Sequence, residues 1–115
     1  MAESRTCIFC RIARGEIPAQ IVMNNKEIAA FKDLNPQAPV HILIIPKKHV
    51  TSLDDSTDSD LVGRMMALAA AIARQEGIAK GGYRTVINTG KNGGQSVDHL
   101  HIHLLGGRQM TWPPG

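Results

Sequence analysis

Three histidines, His99, His101 and His103, alternate with Leu100, Ile102 and Leu104 near the end of the chain. The chain holds five histidines in all, so three within five positions need a reason. In an extended segment successive side chains point to opposite faces. The three imidazoles then share one face, and the hydrocarbons behind them seat the segment on a core. A histidine with its usual pKa near 6.5 leaves much of its ring neutral at neutral pH, and a neutral ring nitrogen is a competent nucleophile toward phosphorus. Neighbouring imidazoles, when protonated, offset charge on phosphoryl oxygens. One metal cannot readily take all three, because the Cα atoms of His99 and His103 stand about 13 Å apart along a strand while zinc holds ring nitrogens at about 2.0–2.1 Å. At least one of the three has a different task. A lone histidine on a sheet face needs no function, but three in register fit that reading poorly.

Two further segments bear on chemistry. "CIFC" places Cys7 and Cys10 two residues apart on or beside a short helical turn, which supplies half of a tetrahedral zinc site. A redox pair is the rival reading, although that motif usually follows a strand and nothing strand-like precedes Cys7. Two histidines would complete a zinc site, and His41, His49 and the triad all qualify. The loop "NTGKNGGQS" lies directly before the histidine segment. Gly90, Gly93 and Gly94 let backbone N–H groups turn toward an anion, with Ser96 adding a hydroxyl. It is not a Walker loop. Beside three same-face histidines it reads as a phosphate cradle.

These residues need elements to hold them. Residues 7–14 are expected as a short helix closed by Gly15. "IPAQIVM" and "EIAAFKD" are expected as a hairpin turning at Asn24-Asn25-Lys26. "VHILIIP" reads as a central strand, apolar on both faces. Leu61, Met65, Leu68 and Ile72 recur at helical spacing, with Val62, Met66, Ala69 and Ala73 beside them. This predicts one long helix from about Ser59 to Glu76, with Thr57 and Asp60 at its start and Gly77 at its stop. "YRTVIN" and "HLHIHLL" read as strands, and the tail from Gly106 as irregular. The expected class is α+β with a mostly antiparallel sheet, in a single domain over residues 1–115.

Composition sets the bounds. The chain of 115 residues is 43% hydrophobic and 20% charged, which fits a folded domain. Its net charge of +3 is scattered and aromatics are 3% of residues, so nucleic-acid binding is a weak reading. No secretory signal opens the sequence, and the longest apolar run, 65–73, falls far short of the roughly 20 residues a membrane span needs. A cytoplasmic protein without membrane attachment is expected, where paired cysteines bind metal or do chemistry more often than they cross-link.

"HLHIHLL" fits the pattern His-φ-His-φ-His-φ-φ, where φ is apolar, and so resembles the signature of the histidine triad superfamily. The resemblance continues through "DLNPQAPVHILIIPKKH", "NTGKNGGQSVDHLHIHLLGGRQM" and "WPPG", and covers nearly the whole chain from Cys7 onward. The tail is similar to that of the Hint branch, the purine nucleoside phosphoramidases. That resemblance implies a five-stranded sheet with one long and one short helix, continued across a homodimer in which the Trp112 tail reaches the partner's site. It implies hydrolysis of AMP–amine phosphoramidates through a nucleotidyl-histidine at His101, with purine nucleotide as ligand and no organic cofactor. The His99 carbonyl would orient His101, and His41 would support it. His103, Asn88, Gly94 and Ser96 would bind phosphate, with Ser96 also near the leaving group. Asp33 would receive the ribose hydroxyls, and Ile8, Phe9, Ile12, Phe31 and Leu34 would line the base pocket. Structural zinc would sit on Cys7, Cys10, His49 and His99. Asp98 departs from the aromatic residue usual before the first histidine; its side chain is expected to point away from the histidine face, and it bears on substrate preference. Two other readings are a zinc-stabilised nucleotide-binding regulatory module with little turnover, and a metal-dependent hydrolase.

Overall fold

The computed structural model describes residues 6–115. Helix α1 (Ile8–Ala13) is followed by strands β1 (Ile21–Asn24), β2 (Ile28–Lys32) and β3 (Val40–Pro46), then helix α2 (Ser59–Gln75) and strands β4 (Tyr83–Val86) and β5 (Ile102–Gly106). A single 3-10 turn, Leu53–Asp55, lies between β3 and α2. All four strand pairings are antiparallel, and the sheet order is β1-β2-β3-β5-β4. No helix among the described residues is long and apolar enough to cross a membrane.

Strand β3 is central and buried almost throughout, as its unbroken apolar run requires. Its alternation divides the core. Ile42 and Ile44 join Leu100, Ile102 and Leu104 under α2, where they meet Leu61, Met65, Ala69 and Ile72. Leu43 and Ile45 face the other side and cluster with Ala29, Phe31 and Phe9 of α1. The helix stripe is the predicted one, except that Met66 is left exposed. Asp58 rather than Thr57 caps α2, accepting the Leu61 N–H at 3.0 Å. Gly77 ends the helix at φ +77°, a conformation that costs glycine little.

Four strands are shorter than their sequence patterns, β2 by one residue at each end. β1 starts at Ile21, not Ile17, because Pro18 has no N–H to give a ladder. The turn after it is held by the Asn25 side chain, whose Oδ1 accepts the N–H groups of Glu27 and Ile28 at 2.8 Å. β5 begins at Ile102, so His99, Leu100 and His101 lie before its ladder. Pro46 closes β3 opposite that stretch, and the Leu100 N–H goes instead to the Val50 carbonyl at 2.6 Å. β4, expected through Asn88, stops at Val86 opposite His103, where its partner strand starts. The alternation of faces nevertheless holds through His99–Leu104, with hydrocarbons under α2 and imidazoles on the α1 side.

Candidate functional site

The histidine face is assembled from four pieces of chain. Phe9 of α1 lies edge-on to His101, with ring centroids 5.1 Å apart, and to His99 at 5.8 Å. His103 stands opposite Leu43 in the β3–β5 register. His41 enters from the start of β3, and His49 from the chain just beyond it.

Hydrogen bonds assign the proton on each ring. His101 Nδ1 lies 2.7 Å from the His99 carbonyl oxygen, which can only accept. Nδ1 therefore carries the proton, and the lone pair is on Nε2. The Gln37 backbone N–H donates to His41 Nδ1 at 3.0 Å, so the His41 proton is on Nε2. That N–H points at His103 Nδ1, 2.9 Å away, which leaves His103 with its proton on Nε2. His101 thus presents a nucleophilic nitrogen where its neighbour presents a donor, with ring centroids 4.9 Å apart.

Burial holds His41 below its usual pKa, against the opposing pull of the Asp33 carboxylate. Burial likewise brings His103 down to about 4, helped by His101 and His41, with Asp33 opposing. Asp33 Oδ2 is 3.4 Å from His41 Nε2, and its Oδ1 accepts the Asn35 N–H at 2.8 Å. Both rings are therefore neutral at neutral pH, as the proton assignment requires.

A cavity of about 260 Å³ opens on this face. The expected Ile8, Phe9, Ile12, Phe31 and Leu34 line it, with Asp33, Ser96, His101 and His103. Its apolar walls and single acid suit a flat ring carrying a polyol. Asn88 and Gly94 are not among the lining residues. The glycine loop closes on itself, with Gly94 N–H bonded to the Lys91 carbonyl, Gly90 N–H to the Gln95 side chain, and Gln95 N–H to the Gly90 carbonyl. Those three amides are bonded inside the turn, and of the residues expected at the phosphate it is Ser96, His101 and His103 that line the cavity. Sequence reasoning missed Leu43 and Val97, and the Ile17–Ala19 stretch. Leu43 was findable from the β3 alternation; Ile17, Pro18 and Ala19 carry no local signal, because only the return of β1 brings them there.

A second cluster lies behind the first. Cys7, Cys10, His49 and His99 each offer a ligand atom, all within 4.8 Å of one another. Cys7 Sγ is 3.2 Å and Cys10 Sγ 3.5 Å from His99 Nδ1, and Cys10 Sγ is 3.1 Å from His49 Nδ1. Cys7 is the N-cap of α1, so one helical turn brings both sulfurs to the same end. His99 Nε2 lies 2.8 Å from the Pro46 carbonyl oxygen, which fixes its proton there and turns the Nδ1 lone pair toward the sulfurs. Burial brings His99 down to about 4, partly opposed by that Pro46 bond. An outward N–H on a carbonyl and an inward lone pair are what a metal-ligating imidazole needs. Two soft sulfurs and two imidazoles are a zinc donor set.

Asp33, His41 and His103 also converge within 4.8 Å. There the ring chemistry is reversed: the Gln37 amide donates to His41, leaving the inward Nε2 protonated, and a protonated nitrogen cannot ligate. The two clusters therefore divide the histidines, one suited to metal and the other to moving or donating a proton.

A family model described as "HIT domain" matches residues 14–110. The chain belongs to the HIT domain family. A HIT family hydrolase from Legionella pneumophila superposes with a TM-score of 0.93 at 54% identity, covering 96% of this chain and 100% of that one. The 14 kDa zinc-binding protein of Zea mays is 49% identical over 94% of this chain and 87% of its own. Adenylylsulfatase HINT1 of Arabidopsis thaliana is 48% identical over 94% of this chain and 76% of its own. Within this HIT domain, the triad spans both clusters, with His99 on the sulfur side and His101 and His103 on the cavity side.

Proposed function

We propose that this HIT protein is a nucleotide-binding hydrolase that cleaves the P–N bond of purine nucleoside phosphoramidates of the AMP–amine type. The observation that carries the reading is the His101 Nδ1–H bond to the His99 carbonyl at 2.7 Å, which leaves Nε2 as a lone pair on the cavity. The name of the Legionella neighbour, a hydrolase, and that of the Arabidopsis relative, which acts on an adenylyl sulfate, agree with chemistry at an adenylyl phosphorus.

Base and ribose fill the apolar cavity, with Asp33 accepting from the ribose hydroxyls. His103 Nε2–H and the Ser96 hydroxyl donate to the phosphoryl oxygens. His101 Nε2 attacks phosphorus, and the P–N electron pair departs with the nitrogen, which takes up a proton as it leaves past Ser96. Water then attacks phosphorus, loses its proton and displaces His101, releasing AMP. Cys7, Cys10, His49 and His99 would hold zinc, as the name of the Zea mays relative suggests. A bound zinc ion supplies a cross-link between α1, the end of β3 and the approach to β5, a closed structural site.

Two chains pairing through the free edge of β4 would extend the sheet, and the tail bearing Trp112, 81% exposed, would reach the partner's site. Sedimentation equilibrium tests this, with a dimer expected and a monomer against it.

The deciding experiment is His101→Asn. Hydrolysis of an AMP–amine should fall by about 10³-fold or more while AMP affinity, read by calorimetry, stays close to that of the parent protein. Unchanged hydrolysis would remove His101 as nucleophile. AMP binding by the parent protein with no turnover of any adenylyl substrate would favour a regulatory binding module.

A further inference from the structure

The nucleotide-sized cavity is not the largest in the molecule. A cavity of about 420 Å³ lies beside it, lined by Thr6, Cys7, His49 and Asp98 and bounded by Ile8, Ser96 and Val97. Those last three residues also line the nucleotide cavity, so the two spaces meet along a common rim. Ser96 stands on that rim, and Asp98 lies two residues further along the same bend.

Asp98 is among the residues lining this cavity. Strand alternation would turn it away from the histidine face, but residues 97–99 form a bend before β5, where that alternation does not apply. Its side chain is exposed and makes no hydrogen bond or ion pair with another described residue. Among the described residues it is the only carboxylate lining this cavity. No lysine or arginine among the described residues lines it, and His49 is turned to the sulfur cluster. Cys7 and His49, if they hold zinc with Cys10 and His99, form a site whose two thiolates cancel the charge of the ion. Asp98 is then the one described lining residue that carries a net charge.

We propose that this cavity is a leaving-group subsite and that Asp98 makes it selective for leaving groups carrying a second positive charge, such as diamines. The inference rests on the nucleotide occupying the neighbouring cavity with its phosphorus between His101 and Ser96, so that the departing nitrogen crosses the shared rim. The ammonium at the far end of a diamine then faces the Asp98 carboxylate. An exposed pair of this kind gives a modest preference, weakened by salt.

Three adenosine phosphoramidates test it: those of butylamine, of diaminobutane and of aminobutyrate, matched in length and differing in terminal charge. For the parent protein, kcat/KM should rank diaminobutane above butylamine by about 2- to 5-fold and aminobutyrate below it, with the spread shrinking as salt rises. Asp98→Asn should bring the three together, and Asp98→Lys should invert the order. Binding of the same compounds to His101→Asn, read by calorimetry, reports the subsite without turnover. Failure of hydrolysis would count against the nucleophile, and loss of the affinity ranking against the subsite. Equal values for all three compounds, or a ranking that Asp98→Asn leaves in place, overturns the proposal.

Discussion

His41 makes no direct claim on a substrate, yet it decides what His103 can offer. With the Gln37 N–H on its Nδ1, His41 can only donate from Nε2, and His103 is held as the tautomer whose Nε2–H faces the cavity. His41→Ala should release that constraint. Nitrogen-15 NMR should show His103 Nδ1 unprotonated in the parent protein and a mixture of tautomers in the variant, with kcat lowered by about 10- to 100-fold and AMP affinity less affected. His103 also sets a pH dependence. Its pKa is about 4 in the fold against its usual 6.5, so between those values the unfolded chain binds more protons than the native one. Folding stability therefore falls as pH drops from 6.5 toward 4 and gains nothing from this group above 7. Thermal melts across that range should show a smaller decline in His103→Asn than in the parent protein; identical slopes would rule the residue out as a contributor.

At the scale of elements, close approach and capping are the sensitive features. A Cβ at Gly106 in β5 would meet Ile78 Cδ1 at 2.6 Å and Ile78 Cβ at 2.9 Å, and Ile78 is itself buried. Gly106→Ala should cost about 1–3 kcal/mol in denaturant unfolding, and a neutral outcome would mean the Ile78 segment shifts freely. Asp58→Ala should destabilise by about 0.5–2 kcal/mol, whereas Thr57→Ala should stay within about 0.5 kcal/mol, since only Asp58 accepts a helix N–H. The sequence pattern located α2 and β3 almost to the residue, because long apolar periodicity is a local signal. The ends of β1, β4 and β5 were not legible in this way. Each strand stops where its neighbour offers no partner, and the neighbour is remote in sequence.

For the whole molecule, the Cys7–Cys10–His49–His99 cluster ties α1 to the core at the place where β5 is approached but not yet laddered. Removing bound metal with a strong chelator should lower the melting temperature, and Cys10→Ser should reproduce the drop. Activity near room temperature should survive chelation as long as the fold does. Loss of turnover with an unchanged melt would instead make the metal a direct participant in the reaction.

The sequence by itself determined the histidine face, the buried central strand, the long helix and the cysteine half of a metal site, because residue spacing of two, of three to four, and of CxxC each dictates local direction. Only the tertiary structure decided where the protons on the histidine rings sit, since their positions depend on the carbonyls of Pro46 and His99 and the amide of Gln37. It also decided that the Gly90, Gly94 and Gln95 amides are bonded within the glycine loop and that Asp98 lines a cavity. Both outcomes follow from hydrogen-bond partners and bends that no periodicity records.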